Sequence, residues 1–154
     1  MIIIQSIMGN HKYIRIILIS IASMIIIILA INAFSFIRFT QLKNSLLLDD
    51  CDSISIKDYK TGETVVLDDD QSIDLIMSYI NRVSFSGIYT GDQIIYNDSS
   101  YISIMFSSPS QLVTIICSDD ERKSRVVEGD FQIAIKETSG LFTAAKQLFN
   151  NHEP

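Results

Sequence analysis

Apolar positions are spread along this chain in three ways, and each predicts a different element. Between Arg15 and Arg38 they run without interruption: Ile16 to Ile37, IILISIASMIIIILAINAFSFI, holds no charged residue. From Ser53 to Lys136 they alternate with polar residues or come in short β-branched and aromatic runs. Around 73–80 and 141–149 they recur every three or four positions.

The continuous run predicts a transmembrane helix. Its 22 residues, at a rise of about 1.5 Å each, make a helix of about 33 Å, the thickness of a hydrocarbon core of about 30 Å. Ser20, Ser23, Asn32 and Ser35 are uncharged, and hydroxyls bond back to the helix's own carbonyls, so none forbids burial in lipid. A core helix of a soluble protein rarely runs this far without a charge, and the rest of the chain is too short to wrap one. The run is longer than the apolar region of a signal peptide and ends on a poor cleavage site, Ala33-Phe34-Ser35, so it reads as an uncleaved anchor. Lys12 and Arg15 precede it and Arg38 and Lys43 follow it. The basic count is tied, and the habit of N-terminal anchors places residues 1–15 in the cytoplasm and the long C-terminal part outside. The leader MIIIQSIMGN is itself apolar, and a start at Met8 would leave GNHKYIR as an ordinary charged opening. Gly9 is no myristoylation signal, because Tyr13 stands where Ser or Thr is needed. Residues 38–50 read as a juxtamembrane stalk, 51–150 as one domain and 151–154 as a tail.

The alternating part predicts strands. Ser53 to Tyr59 places Ile54 and Ile56 on one face and Ser55 and Lys57 on the other; Thr61-Gly62 is a turn, and Glu63 to Leu67 pairs back as a hairpin. Asp68 to Asp70 cap a helix that carries Ile73, Ile76, Met77 and Ile80 on one stripe. Val83–Tyr89, Gln93–Tyr96, Tyr101–Ser107, Gln111–Cys117, Arg122–Val127 and Phe131–Lys136 follow as short strands in an antiparallel meander. Thr138 or Ser139 caps a closing helix with Leu141, Phe142, Ala145, Leu148 and Phe149 on one face. The fold class is α+β: an N-terminal transmembrane helix, then a mainly antiparallel sheet packed with two amphipathic helices.

Charge sharpens the division at the anchor. Residues 1–43 carry four Lys/Arg and no Asp/Glu, leaving eight basic against all 18 acidic residues beyond, a net charge of −10 over about 110 residues. That length supports one core. An acidic domain is repelled by phosphate backbones and by anionic lipid headgroups, which excludes nucleic acid as a partner and is expected to stand the domain off the bilayer surface.

The run ISIKDYKTGETVVLDDDQSIDLIMSYINRVSFSG, followed by YISIMFSS and a closing amphipathic helix, resembles a family of small extracytoplasmic domains of unknown function in Gram-positive bacteria. The likeness rests on Ile54, Ile56, the Thr61-Gly62-Glu63 turn, Val65, Leu67, the Asp68 to Asp70 cap, Ile73, Ile76, Ile80, Phe85 and the strand with Ile102, Ile104 and Phe106. Those are fold-making positions over about residues 52–149. DFQIAIKE before the last helix departs from the family's tyrosine-rich strand. The resemblance implies a placement behind a single anchor, an α+β architecture and no known catalytic residue.

The residues offer little chemistry. The two histidines, His11 beside the anchor and His152 in the tail, leave the domain without a Ser-His-Asp or Cys-His site, and two cysteines cannot make a four-cysteine zinc site. Six glycines make no phosphate loop. Thr143 and Lys146 sit one helical turn apart, a spacing that usually means a solvated face. Asp68, Asp70, Ser72 and Asp74 begin like a calcium loop, but Ile73 stands where glycine is required and Tyr79 where a bidentate Glu should close it, so a helix cap is the better reading. Asp119, Asp120 and Glu121, followed by Arg122, Lys123 and Arg125, read as a self-neutralising turn. No cofactor and no metal is expected. Cys51 follows Asp49 and Asp50 at a distance from the apolar run that rules out lipidation; with Cys117 it forms the one candidate disulfide of an exported domain. Tyr89, Tyr96 and Tyr101 form a candidate aromatic contact surface. These features together point to a single-pass cell-membrane protein whose non-catalytic external domain contacts another envelope protein as an accessory or sensory module, with membrane lipid as the anchor's partner. The alternative is a domain binding a small ligand or a cation through its acidic loops and tyrosines.

Overall fold

A computed structural model describes residues 2–48, 51, 53–89, 101–108 and 111–152. The chain divides into two units, residues 1–34 and 35–154. A single helix, α1 (Ile2–Leu48), spans the division.

In the first unit every described side chain from Tyr13 to Phe34 is exposed except the half-buried Asn32. Tyr13–Leu46 is long and apolar enough to cross a membrane. The one carboxamide in this stretch satisfies itself, Asn32 Nδ2 donating to the Ile28 carbonyl at 2.9 Å, which is the condition for a polar side chain to sit in lipid.

The second unit is a two-layer α+β domain. Seven strands, β1 (Ile54–Asp58), β2 (Thr64–Leu67), β3 (Ser84–Ile88), β4 (Tyr101–Ser108), β5 (Gln111–Ser118), β6 (Arg125–Glu128) and β7 (Phe131–Lys136), form one sheet in the order β2-β1-β4-β5-β6-β7-β3. Every neighbouring pair is antiparallel. Gly62 (φ 78°) makes the β1–β2 turn, and Gly129 (φ 56°) opens the two-residue loop joining β6 to β7; both conformations favour glycine. The alternation sends Ile54, Ile56, Ile102, Ile104, Phe106, Val113, Ile115, Val126, Ile133 and Ile135 to one buried face. On the scale of about 1.5–3 kcal/mol per fully buried aliphatic side chain, this face is the main source of the domain's stability.

Helices cover that face. α2 (Asp70–Ile80) buries Ile73, Ile76 and Ile80, and α3 (Ser139–His152) buries Leu141, Ala144, Ala145 and Phe149. The third member of the layer is the end of α1, whose Phe39 and Leu42 are buried in the same core, with Leu46 packed against it. The stalk expected over 38–50 is therefore, as far as Leu46, a core helix. Its apolar positions 39, 42 and 46 recur at helical spacing, a pattern masked in the sequence by the run before it.

Three further expectations change. β3 does not continue into the meander: it pairs with β7 at the far edge, with a bulge between Phe85 and Gly87 that suits an edge strand. β6 begins at Arg125 rather than Arg122, because Glu121–Lys123 form a single 3-10 turn. The tail placed at 151–154 is helical through His152. The strand expected at Gln93–Tyr96 lies outside the described residues.

Candidate functional site

The part of the domain with the most specific chemistry is the place where α1 is fastened into it. Arg38 meets Glu128 in a two-pronged ion pair, its Nε donating to Oε2 at 2.9 Å and its Nη2 to Oε1. The planar guanidinium suits a carboxylate in this way where a lysine would not. One turn further on, Lys43 Nζ donates to the carbonyls of Asn81 (2.7 Å) and Val83 (2.8 Å). Asn81 closes α2, so the ammonium sits at that helix's negative end, on the cap carbonyl and on that of Val83 just beyond it. Phe36 and Phe39 pack against Phe85 of β3, the first edge-on at 5.5 Å, the second tilted at 6.1 Å. Behind them Phe39, Leu42, Leu46, Ile80, Val83, Ile115 and Val126 line an apolar cleft of about 10 Å³, the room of a single water. It is a packing seam. The four basic residues near the anchor read from sequence as orientation signals; Arg38 and Lys43 turn out to have partners 90 and 38 residues away in the fold, and no sequence pattern marks those.

The candidate residues are placed as follows. Cys51 and Cys117 are both thiols. Ile54, where β1 begins, lies four rows and two strands from Cys117, about 16 Å away at ordinary sheet spacings and far beyond the 7 Å a disulfide spans. Cys51 precedes that far end of β1, with its Sγ on the Ser53 carbonyl at 3.2 Å. Burial drives the Cys117 thiol far above its ordinary pKa and leaves it inert.

Two of the three candidate tyrosines are described, and they differ in burial. Tyr101 is buried at the start of β4, opposite Ser118. Tyr89 is half-buried and stacks on the Arg125 guanidinium at 4.3 Å. Tyr96 lies outside the described residues. Strand alternation turns Tyr101 and Arg125 onto the same sheet face, the one away from the helices.

The acidic clusters are caps and ion pairs. Asp69 is the N-cap of α2 and accepts from the Ser72 N–H at 2.8 Å, which holds its carboxyl below the ordinary range. Asp120 accepts from Arg122 Nε at 3.0 Å and is lowered chiefly by that side chain. Glu121 reaches back to the Ser139 N–H at 2.9 Å and so caps α3 from a distant turn. Thr138, expected as a cap by its side chain, supplies only its carbonyl, which accepts from the Phe142 N–H at 2.8 Å. Its hydroxyl donates instead to Ser124 Oγ at 2.9 Å, which also accepts the Ser118 N–H at 3.0 Å, and all three residues are fully buried. Arg125 is not part of a neutralised turn. It is buried, donates Nη1 to the Lys123 carbonyl at 3.2 Å, and leaves Nε without a hydrogen-bond partner among the described residues.

Thr143 and Lys146 do not act together. The hydroxyl back-bonds to the Ser139 carbonyl, and the ammonium stands 3.7 Å from the buried Asp58. Among the described residues no three His, Cys, Asp or Glu side chains converge on a cation position. His152 lies at the end of α3, 3.9 Å from Asp69. No family model, curated protein or solved structure matches the chain. What the geometry offers is attachment: one helix long and apolar enough to cross a membrane, whose last turns are clamped into an α+β domain.

Proposed function

We propose that this chain is a single-pass cell-membrane protein whose C-terminal α+β domain lies outside the cytoplasm and binds rather than catalyses, as an accessory or sensory module contacting another envelope protein. The observation that carries it is the helix Tyr13–Leu46, apolar and exposed along its outer length and core-packed at its end. The helix that supplies the proposed span also packs Phe39 and Leu42 into the domain's core, which suits a module that reports or receives through that element. The resemblance to anchored extracytoplasmic domains supports the same placement, and the charge of the domain supports a protein partner over nucleic acid or an anionic lipid surface.

The test is protease accessibility in intact cells stripped of their wall, following a tag after Pro154. Digestion of the tag and domain without lysis is the expected result. Protection until lysis would overturn the external placement and move the search for a partner to the cytoplasm.

A further inference from the structure

We propose that the rim of the domain around the exit of α1, formed by Phe36, Phe85, Ile88 and Phe131, seats in the interfacial zone of a lipid bilayer, so that the domain touches the membrane through its own sheet as well as through its helix. This rests on the membrane-spanning reading of α1.

The exposed large apolar side chains of residues 35–154 are not scattered. Among the described residues they are Phe36, Ile37, Val66, Leu75, Ile88, Leu112 and Phe131, and the contacts gather three of them, Phe36, Ile88 and Phe131, around the half-buried Phe85. Phe36 lies edge-on against Phe85. Two residues along, Arg38 binds Glu128, whose cross-strand partner is Phe131. Ile88 stands opposite Ile133, two residues from Phe131 on the same face of β7, which makes Ile88 and Phe131 diagonal neighbours about 7–8 Å apart. Ile88 is 39% and Phe131 40% exposed, against 53% for Phe36 and 55% for Ile37.

Lipid is the occupant this rim fits. Phe36 and Ile37 are the last two residues of the uncharged run, so a bilayer that takes the run reaches the rim without a break. The acid among these side chains, Glu128, is neutralised by Arg38, which removes the largest cost of bringing the rim to a headgroup layer. Asp130, an acidic residue at the exposed hairpin tip beside Phe131, makes a zwitterionic surface preferable to an anionic one. Phe and aliphatic side chains of interfacial segments bury in this way at the boundary between headgroups and acyl chains.

The chain contains no tryptophan, so single-tryptophan variants report without background. Phe131→Trp and Ile88→Trp are placed in the full chain, reconstituted in phosphatidylcholine vesicles brominated high on the acyl chains, beside Ile25→Trp for the helix and Leu75→Trp for an exposed site on α2. The expected result is quenching at 131 and 88 as well as at 25, with 75 bright. Quenching at 25 while 131 and 88 stay as bright as 75 would overturn the rim and leave the helix in the membrane. No quenching at 25 would overturn the spanning reading and the rim with it. A blue-shifted but unquenched signal at 131 and 88 would assign the rim to a protein surface, such as a second copy of this chain, and would also overturn the proposal.

Discussion

Two stretches of α1 differ in composition and in surroundings: residues 13–34 are apolar but for Arg15, Ser20, Ser23 and Asn32, while residues 35–46 mix Phe36, Ile37, Phe39, Leu42 and Leu46 with polar and basic residues. From Tyr13 to Phe34 the side chains point away from any protein core: Leu29 is 63% exposed and Ile26 65%. From Ser35 to Leu46 the same helix is one-sided. Phe39 and Leu42 are buried, Thr40, Gln41 and Asn44 are exposed, and Arg38 and Lys43 find partners on β6 and at the end of α2. What separates the halves is the angular arrangement of apolar and charged residues. A helix apolar all round asks for an apolar solvent; a helix with one apolar stripe and cations beside it asks for a sheet to lie on.

That contrast can be broken by matched substitutions. Leu42→Ala should cost about 2–5 kcal/mol and lower the melting temperature of the detergent-solubilised chain by roughly 10 °C or more. Leu29→Ala should leave it unchanged, and equal shifts would abolish the distinction. Ile25→Arg should cost about 2.5–3.5 kcal/mol of insertion, seen as loss of the chain from the carbonate-resistant membrane fraction, whereas Gln41→Arg, on the exposed side of the packed turns, should keep both membrane retention and melting temperature. Lys43→Met removes the ammonium from the two carbonyls at the end of α2 and should cost about 1.5 kcal/mol, read by thermal melting, with Lys43→Arg recovering part of it. Arg38→Ala should cost under about 1 kcal/mol, because the pair with Glu128 is partly solvated, and the loss should shrink in high salt.

The smallest effect is on pH. The carboxyls of Asp69 and Asp120 are held low by the Ser72 N–H and by Arg122. A carboxylate depressed in the folded state contributes stability that is complete above its unfolded pKa and is lost as pH falls through the folded value. The melting temperature should be flat from pH 7 to about 5 and drop below about pH 4, and Asp69→Asn should flatten part of that drop. A loss of stability between pH 5 and 7 would point to other groups.

The sequence announces those parts of this fold that depend on local periodicity. The alternation in ISIKD, the stripe Ile73, Ile76, Ile80 and the turn at Thr61-Gly62 each state their own structure, and they read correctly. Partners chosen by tertiary placement are not written locally. Nothing in SFSGI says that β3 goes to the far edge beside β7, and nothing in RKSR says that Arg122 stays in the turn while Arg125 turns inward under Tyr89. Cys51 and Cys117 looked pairable because both lie next to strands; strand order and register separate them. The packed end of α1 was hidden because its stripe 39, 42 and 46 follows directly on an unpatterned apolar run.

Hydrogen exchange of the full chain in lipid nanodiscs, across a urea series, tests the two-surroundings account most directly. Amides of 35–46 should be protected in the native state and lose protection at the same urea concentration as β4 and β5, while 16–34 stay protected throughout. Rapid native exchange across 35–46, with the sheet still protected, would make that segment a stalk after all and would contradict the account.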